Sequence, residues 1–460
     1  MLCGTFAAAD KDFGTLGDSG SAMLDLTSAI TGSSGNRLTF TGDCSSAGGP
    51  ARATINGGGV AGVGYGLRLA GAYITLEKVD LVDMWAASNA AISMGTSTTE
   101  PAANTISDVT ITNAGLAGCT NCNAIEINSN GFTVDSVTVD GAGTDGIYVG
   151  NGSTGAAGGT ISNSTLSNIS MTTVNGDGIQ QEPAGGPLTI DNVSVTLNAQ
   201  SIKACFLAGN ASNAIVIEDS DCEGSGAAAG GIVIDGAGAG SYVARNYMRN
   251  TVGGAGIYLR DDAAQIASPL KVYSNIISGY LYGLLLDGSH SSYPEISNNT
   301  FSGGSQYGVW ATSSWNPAAG AVLSNNVISS SGFSLYVDAT VAAADWNAAF
   351  NNYPGTGVFH YRGTDYATLA AYVTAASKDA GSIATNPRFL GGSSPTTAEG
   401  FRPLPSSPLL GAGSPLGAKY DYEGYRFGNP PNIGAFVNNG PNSYSRRSNY
   451  DRRTTFPERY

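Results

Sequence analysis

The sequence predicts an all-β fold, a solenoid of the parallel β-helix kind, and three observations carry that expectation. The first is a phrase that repeats between about Ile74 and Phe359. Its clearest copy is Glu295-Ile-Ser-Asn-Asn-Thr-Phe301 followed by Tyr307-Gly-Val-Trp310. It returns as Lys271-Val-Tyr-Ser-Asn-Ile-Ile277 with Tyr282-Gly-Leu-Leu285, and as Val322-Leu-Ser-Asn-Asn-Val-Ile328 with Phe333-Ser-Leu-Tyr336. Upstream, Leu76, Ile106, Val134, Ile161, Ile190, Ile217 and Val243 take the place of Ile296, at a spacing of roughly 24 to 29 residues, the period of solenoids. The second observation is that each copy holds two short alternating apolar segments rich in Val, Ile and Thr, set between Gly, Asn and Ser turns. That is the pattern of strands rather than helices. One such unit has a single apolar face and nothing to bury it against, so copies must stack. The third is a second register: Asn246, Asn275 and Asn326 take the place of Asn299, and Val79, Val109, Val137 and Val193 fill it earlier. Asparagines at one bend of successive coils can join their amides into a ladder.

Taken in order, residues 1–73 read as opening coils, with Arg37-Leu-Thr-Phe40 and Ala53-Thr-Ile55 as strands. Met1-Leu-Cys-Gly-Thr-Phe6 has no basic start and no sustained apolar core, so it does not read as a secretory signal. Coils are expected to continue to about Phe359, so that the solenoid occupies 1–363. Over 364–436 the pattern changes. Leu369, Tyr372, Val373 and Ala376 fall on one helical face, with Thr364 or Asp365 placed to cap the helix start. A solenoid needs its open apolar end covered, and this helix is the expected lid. Asn386-Pro-Arg-Phe389, Phe401-Arg-Pro-Leu404, Ser407-Pro-Leu-Leu-Gly-Ala-Gly413 and Pro431-Asn-Ile-Gly-Ala-Phe436 complete that capping segment. Residues 437–460 form a basic tail, with Arg446, Arg447, Arg452, Arg453 and Arg459 among Tyr444, Tyr450, Phe456 and Tyr460. Such a tail is either disordered or a docking strap for an acidic surface.

The coil phrase and its asparagine register resemble the right-handed parallel β-helix proteins, the broad group of pectate-lyase-like enzymes, alginate and chondroitin lyases and phage tailspikes. The closing phrases of 386–436 resemble the end of bacterial extracellular β-helix proteins. The Met1–Phe6 phrase resembles their first coil, so the chain is expected to begin inside the fold. The resemblance implies the fold and a place outside the cell or on a virion surface. It implies no catalytic set, because the group shares coils and not chemistry.

A net charge of −14 argues against a nucleic-acid-binding body, and no apolar run is long enough to span a membrane. Glycine at 65 residues and only 12% charged residues suit short strands between tight turns. The six cysteines are Cys3, Cys44, Cys119, Cys122, Cys205 and Cys222. Cys119-Thr-Asn-Cys122 has the spacing of half a zinc knuckle, but no second pair accompanies it, and His290 and His360 lie far away. No metal site is expected; a local or rung-to-rung disulfide, or free thiols, fit better. Cys205 and Cys222 fall at inward positions, as small core residues do.

Two features carry candidate chemistry. The outward residue of the second strand reads Glu126, Tyr148, Gln180, Phe206, Val233, Tyr258, Leu285, Trp310, Tyr336, Phe359. With coils about 4.8 Å apart this is a long stripe, and its rings (Tyr148, Phe206, Tyr258, Trp310, Tyr336 and Phe359) call for a cover. A sugar chain, another subunit, or a loop or tail of the same chain are the three candidates. Charges are scarce, and they cluster between about Asp145 and Asp262. Asp145, Asp177 and Lys203 each precede the second strand in successive coils; Glu182, Asp235, Arg260, Asp287 and Asp338 follow it. Asp145 and Asp177 about 5 Å apart would match a retaining glycosidase, one carboxyl kept protonated by the other. Lys203 could instead abstract the proton in a β-eliminating lyase, with calcium neutralising the uronate. Strand-end Asp residues also cap turns, and Arg260 between Asp235 and Asp287 reads as an ion-paired ladder. Gly176-Asp-Gly-Ile179 resembles a polygalacturonase fragment, but the histidine-containing and Arg-Ile-Lys motifs that should follow it are missing.

The expected function is that of an extracellular or virion-surface β-helix, tailspike- or fibre-like. It would present a stiff surface that assembles with itself or with partner subunits on a virion or cell surface, binds polysaccharide, or does both. The alternative is a polysaccharide lyase or glycoside hydrolase acting on an acidic polysaccharide through Asp145, Asp177, Glu182 and Lys203.

Overall fold

The computed structural model describes residues 5–7, 22–26, 30–43, 45, 52–58, 65–84, 90–95, 101–115, 122–150, 158–170, 176–182, 185–197, 203–210, 212–224, 230–250, 253–260, 266–317, 320–355, 357–415 and 417–437. The tail at 438–460 and Cys3, Cys44 and Cys119 lie outside these. Among the described residues two sheets run side by side along one axis, one of 21 strands and one of 14, all paired in parallel except the last strand of the smaller one. Each coil gives one or two segments to the larger sheet and one to the smaller. The apolar column read from the sequence is the observed register: Leu76, Ile106, Val134, Ile161, Ile190, Ile217, Val243, Val272, Ile296 and Leu323 pair in succession. All are sealed in one continuous core. Parallel pairing with both sides of the coil closed leaves alternation intact, because the outer face stays in water.

Within the larger sheet the described coils share a bend at one equivalent position. Lys78, Asp108, Ser136, Asn163, Asn192, Asp219, Arg245, Ser274, Asn298, Asn325 and Phe350 have φ between 49° and 58°. For side chains other than Gly, Asn or Asp this left-handed conformation is costly, so something must hold it. The next residue does. Asn246, Asn275, Asn299 and Asn326 are fully buried, and each donates from Nδ2 to Oδ1 of the next, at 2.9, 2.9, 3.0 and 3.1 Å, the last bond reaching Asn351. Each Oδ1 also accepts the backbone N–H of the preceding ladder residue, at 2.9–3.0 Å. Asn351 ends the ladder on the buried Asp379 carboxylate, 2.9 Å away.

The earlier part of this column is not uniformly valine. Ser164 sits between Val137 and Val193, and Ser220 between Val193 and Asn246; they accept the backbone N–H of Val137 and of Val193, each at 3.1 Å. Ser220→Ala leaves the buried Val193 N–H without an acceptor, and the expected loss is about 1–2 kcal/mol in guanidinium unfolding.

Cys205 and Cys222 are both in the core and are joined by a disulfide, Cα–Cα 5.9 Å, so they are more than small fillers. Cys122 is also disulfide-bonded.

The end of the stack is covered by the helix Leu369–Ala376. Its buried Tyr372 stacks on Phe359, centroids 5.1 Å apart, while Leu369, Val373 and Ala376 pack on the core. The cap is Thr368, whose hydroxyl accepts from Ala371 N–H, and not Thr364 or Asp365. Those two instead belong to Thr364–Tyr366, which turns back antiparallel on Val358–Tyr361 and closes the sheet edge.

The phrases after the helix are not part of the lid. They run along the flank of the solenoid, where Phe389, Phe401, Leu409, Ile433 and Phe436 cluster over Ile276 and Val327. Bend residues of the coils hold this strap: Asn325 Nδ2 donates to Ser414 O and Asn298 Nδ2 to Asn432 O, and Ser274 Oγ donates to Tyr420 O. The asparagines at the bends therefore serve a second purpose invisible in the repeat itself.

Candidate functional site

The outer face of the smaller sheet carries the stripe expected from the sequence, with two corrections. Ile179 pairs with Phe206 and Gln180 with Leu207, so Phe206 points into the core, fully buried. Leu335 pairs with Phe359 and Tyr336 with His360, so Phe359 is also inward. A one-residue slip moves every side chain of a strand to the opposite face. The same slip displaces Lys203: the residue facing Asp177 is Ala204, whose N–H donates to Asp177 Oδ1 at 2.7 Å. The observed outer column is Glu126, Tyr148, Gln180, Leu207, Val233, Tyr258, Leu285, Trp310, Tyr336, His360.

This column has three regions. In the middle, Leu207 and Val233 face outward yet are only 9% and 8% exposed, forming a small apolar cluster with Ala204 and the partly buried Tyr258. Nearby, Arg260 bonds Asp235 through both carboxylate oxygens, at 2.7 and 2.8 Å. Asp287 accepts from the hydroxyls of Tyr258 and Thr312, rather than from the Arg260 read from the sequence.

Toward the C-terminal end the rings gather. Tyr282, Tyr307 and Phe333 pair in one column, and Trp310, Tyr336 and His360 in the next. Tyr282 stacks on Tyr307 (5.7 Å, 12°) and Tyr336 on His360 (4.1 Å, 7°). Trp310 lies 53° across the first pair and Phe333 lies 87° across Tyr336, so the patch presents faces as well as edges. All six are half-buried. The hydroxyls of Tyr282, Tyr307 and Tyr336 make no hydrogen bond to any described residue. Residues three apart share a face here because the glycine after each leading tyrosine turns inward. A Cβ on Gly283 would lie 2.5 Å from Gly308 O and 2.9 Å from Phe301 Cβ. Tyr282, Tyr307, Phe333 and His360 were missed as site residues, although an aromatic opens each of the three quoted repeat copies and was in plain view.

Toward the N-terminal end the face is polar, and the four proposed catalytic residues do come together there. Tyr148 donates to Glu182 at 2.7 Å, Lys203 Nζ donates to Gln180 Oε1 at 3.3 Å, and Nζ lies 3.6 Å from Asp177 Oδ2. Asn128 holds Glu126 at 3.0 Å, and burial pushes that carboxyl up. The two aspartates differ from the expectation in kind. Asp145 Oδ1 accepts the N–H of Asp177 at 2.7 Å, as Asp177 Oδ1 accepts that of Ala204, and Asn123 Oδ1 accepts that of Asp145. They are a second ladder, 4% and 0% exposed. Burial is the main cause that pushes Asp145 up to about 6, and burial followed by the charge of Asp145 pushes Asp177 up to about 7. Neither is open to a polymer; Glu182, Tyr148 and Lys203 are. Among the described residues, no group of three or more His, Cys, Asp or Glu is placed to hold a metal ion. No helix among them is long and apolar enough to cross a membrane.

Comparison with known proteins gives one family match, the right-handed beta helix region, over residues 123–316 and 177–358. No curated protein matches the chain. Among solved structures, that of XylC in complex with xylose is similar at 12% identity and a TM-score of 0.36. The alignment covers 71% of this chain and spans 55% of the length of that one.

Proposed function

The chain belongs to the right-handed β-helix family, and from that premise we propose that it is a stiff surface rod that binds polysaccharide on the aromatic end of its smaller sheet. One observation carries this reading: six rings from four successive coils, three of them phenols whose hydroxyls bond no described residue, lie on one outer face beside polar side chains. Rings take the apolar faces of sugars and their hydroxyls take the sugar hydroxyls. A rod of this kind suits an extracellular or virion-surface fibre, in which copies assemble side by side.

Trp310→Ser combined with Tyr336→Ser is the test, read by affinity electrophoresis in polysaccharide-containing gels and by sedimentation. The expected outcome is a tenfold or greater loss of retention with unchanged sedimentation. A variant that instead falls to smaller species makes the stripe a subunit contact, since burying each ring there is worth roughly 1.5–3 kcal/mol before ordering costs. A variant changed in neither respect sinks both readings.

The second reading, cleavage of an acidic polysaccharide, keeps the Tyr148–Glu182 bond and Lys203 as its support. It requires release of reducing ends or unsaturated uronate that Lys203→Ala abolishes.

A further inference from the structure

We infer that the ligand of this aromatic face is a linear, uncharged glycan lying parallel to the solenoid axis and spanning about four coils. The inference rests on the polysaccharide-binding reading and names its substrate class. The first support is register. Beside the two ring columns stands a third, in which Asp287, Thr312, Asp338 and Arg362 occupy equivalent places one after another. Each donates its N–H to the carbonyl one coil back, at Leu259, Leu286, Ala311 and Val337. The two middle coils thus carry two rings each and the outer two one each, with Leu285 and Val358 in the remaining places, and a polar group follows in every coil, at about 4.8 Å. A site that repeats along one direction fits a ligand that repeats along it too. Three spacings amount to about 14 Å.

The second support is charge. The polar column offers two carboxylates, with Asp365 held against His360 at its edge by a 2.5 Å bond. The cations are few: Arg362 is exposed at one end, and Arg260 at the other is engaged by Asp235. The whole chain carries −14. A uronate or sulfate would meet like charge at Asp287 and Asp338 and an exposed cation only at Arg362, at the far end of the column. The phenol hydroxyls and carboxylate oxygens that remain suit sugar hydroxyls.

The experiment has two arms on the full chain. In affinity electrophoresis, an uncharged β-glucan, xylan and galactomannan are compared with alginate, polygalacturonate and chondroitin sulfate. We expect retention by at least one uncharged polymer, insensitive to salt from about 0.02 to about 0.5 M, over which the Debye length falls about fivefold, and at least tenfold weaker retention by the polyanions. In competition with oligosaccharides cut from the retaining polymer, affinity should rise steeply up to about four units, one per coil, and then level off. Asp338→Lys should bring in salt-sensitive retention by polyanions. Wild-type retention by a polyanion overturns the uncharged class while leaving sugar binding intact. Equal competition by a monosaccharide and a tetrasaccharide overturns the axial chain. If no polymer of either kind is retained, the polysaccharide-binding reading itself falls, and this inference with it.

Discussion

Asn275→Leu should cost about 3 kcal/mol of stability, the sum of a stranded backbone amide and several weakened bonds. Asn275 Oδ1 accepts from the N–H and the Nδ2 of Asn246, at 3.0 and 2.9 Å, and its own Nδ2 donates to Val243 O and to Asn299 Oδ1, both at 2.9 Å. Leucine supplies none of these. The Asn246 N–H then sits fully buried with no acceptor, and leucine's apolar gain returns only part of the loss because the site is already filled. The bonds also polarise one another along the row, so a central deletion should cost more than one at Ser220. A long repeat array need not unfold in one step, so local probes matter. Trp310, Trp315 and Trp346 report on the coils C-terminal to the break, and hydrogen exchange at 243–299 reports on the break itself. A fluorescence midpoint and exchange pattern equal to wild type would show that the ladder bears no such share of the stability.

Asp177→Asn should stabilise the protein at pH 8 by on the order of 3 kcal/mol and change little at pH 4. The sign follows from the direction of the shift. The folded pKa, about 7, lies above the ordinary aspartate value, so the folded state binds the proton more tightly than the unfolded chain does. The stability this contributes is complete below about pH 4 and is lost as pH rises through about 7. Asparagine keeps an oxygen for the Ala204 N–H and never carries the buried charge. Lys203, one-third exposed, can turn to water at little cost. Guanidinium midpoints of the two proteins across pH 4–8 decide the matter: the curves should diverge with rising pH. Parallel curves would mean that the carboxyl is not desolvated as the fold places it. The same variant bears on catalysis, because a ladder residue can be replaced without loss of any cleavage the protein performs.

Much of the fold was legible because some positions have one permitted chemistry. The column from Leu76 to Leu323 must be aliphatic, since it is sealed on all sides, and its register read from sequence is the observed one. The asparagine ladder was legible for a related reason, as only a group with both donor and acceptor can bond coil to coil. Its termination on Asp379 was not, because the acceptor comes from beyond the solenoid.

The second strand was read less well where its alternation fails. In Ala204-Cys-Phe-Leu-Ala208 every residue is apolar, so period two gives no preferred face, and the register was set one residue off. Near Val358 an irregularity between Phe333 and Leu335 shifts the pairing, which neighbouring residues do not announce. The sequence by itself determined that copies stack, which residues line the core and that rings recur on one outer face, because period and polarity are local properties. Only the tertiary structure decided that Asp145 and Asp177 are buried ladder rungs, that Cys205 joins Cys222, and that the last segment straps the flank. Each depends on which coil lies next to which. A residue type shows what a group can bond, but only the neighbouring backbone fixes whether water, charge or an N–H reaches it first.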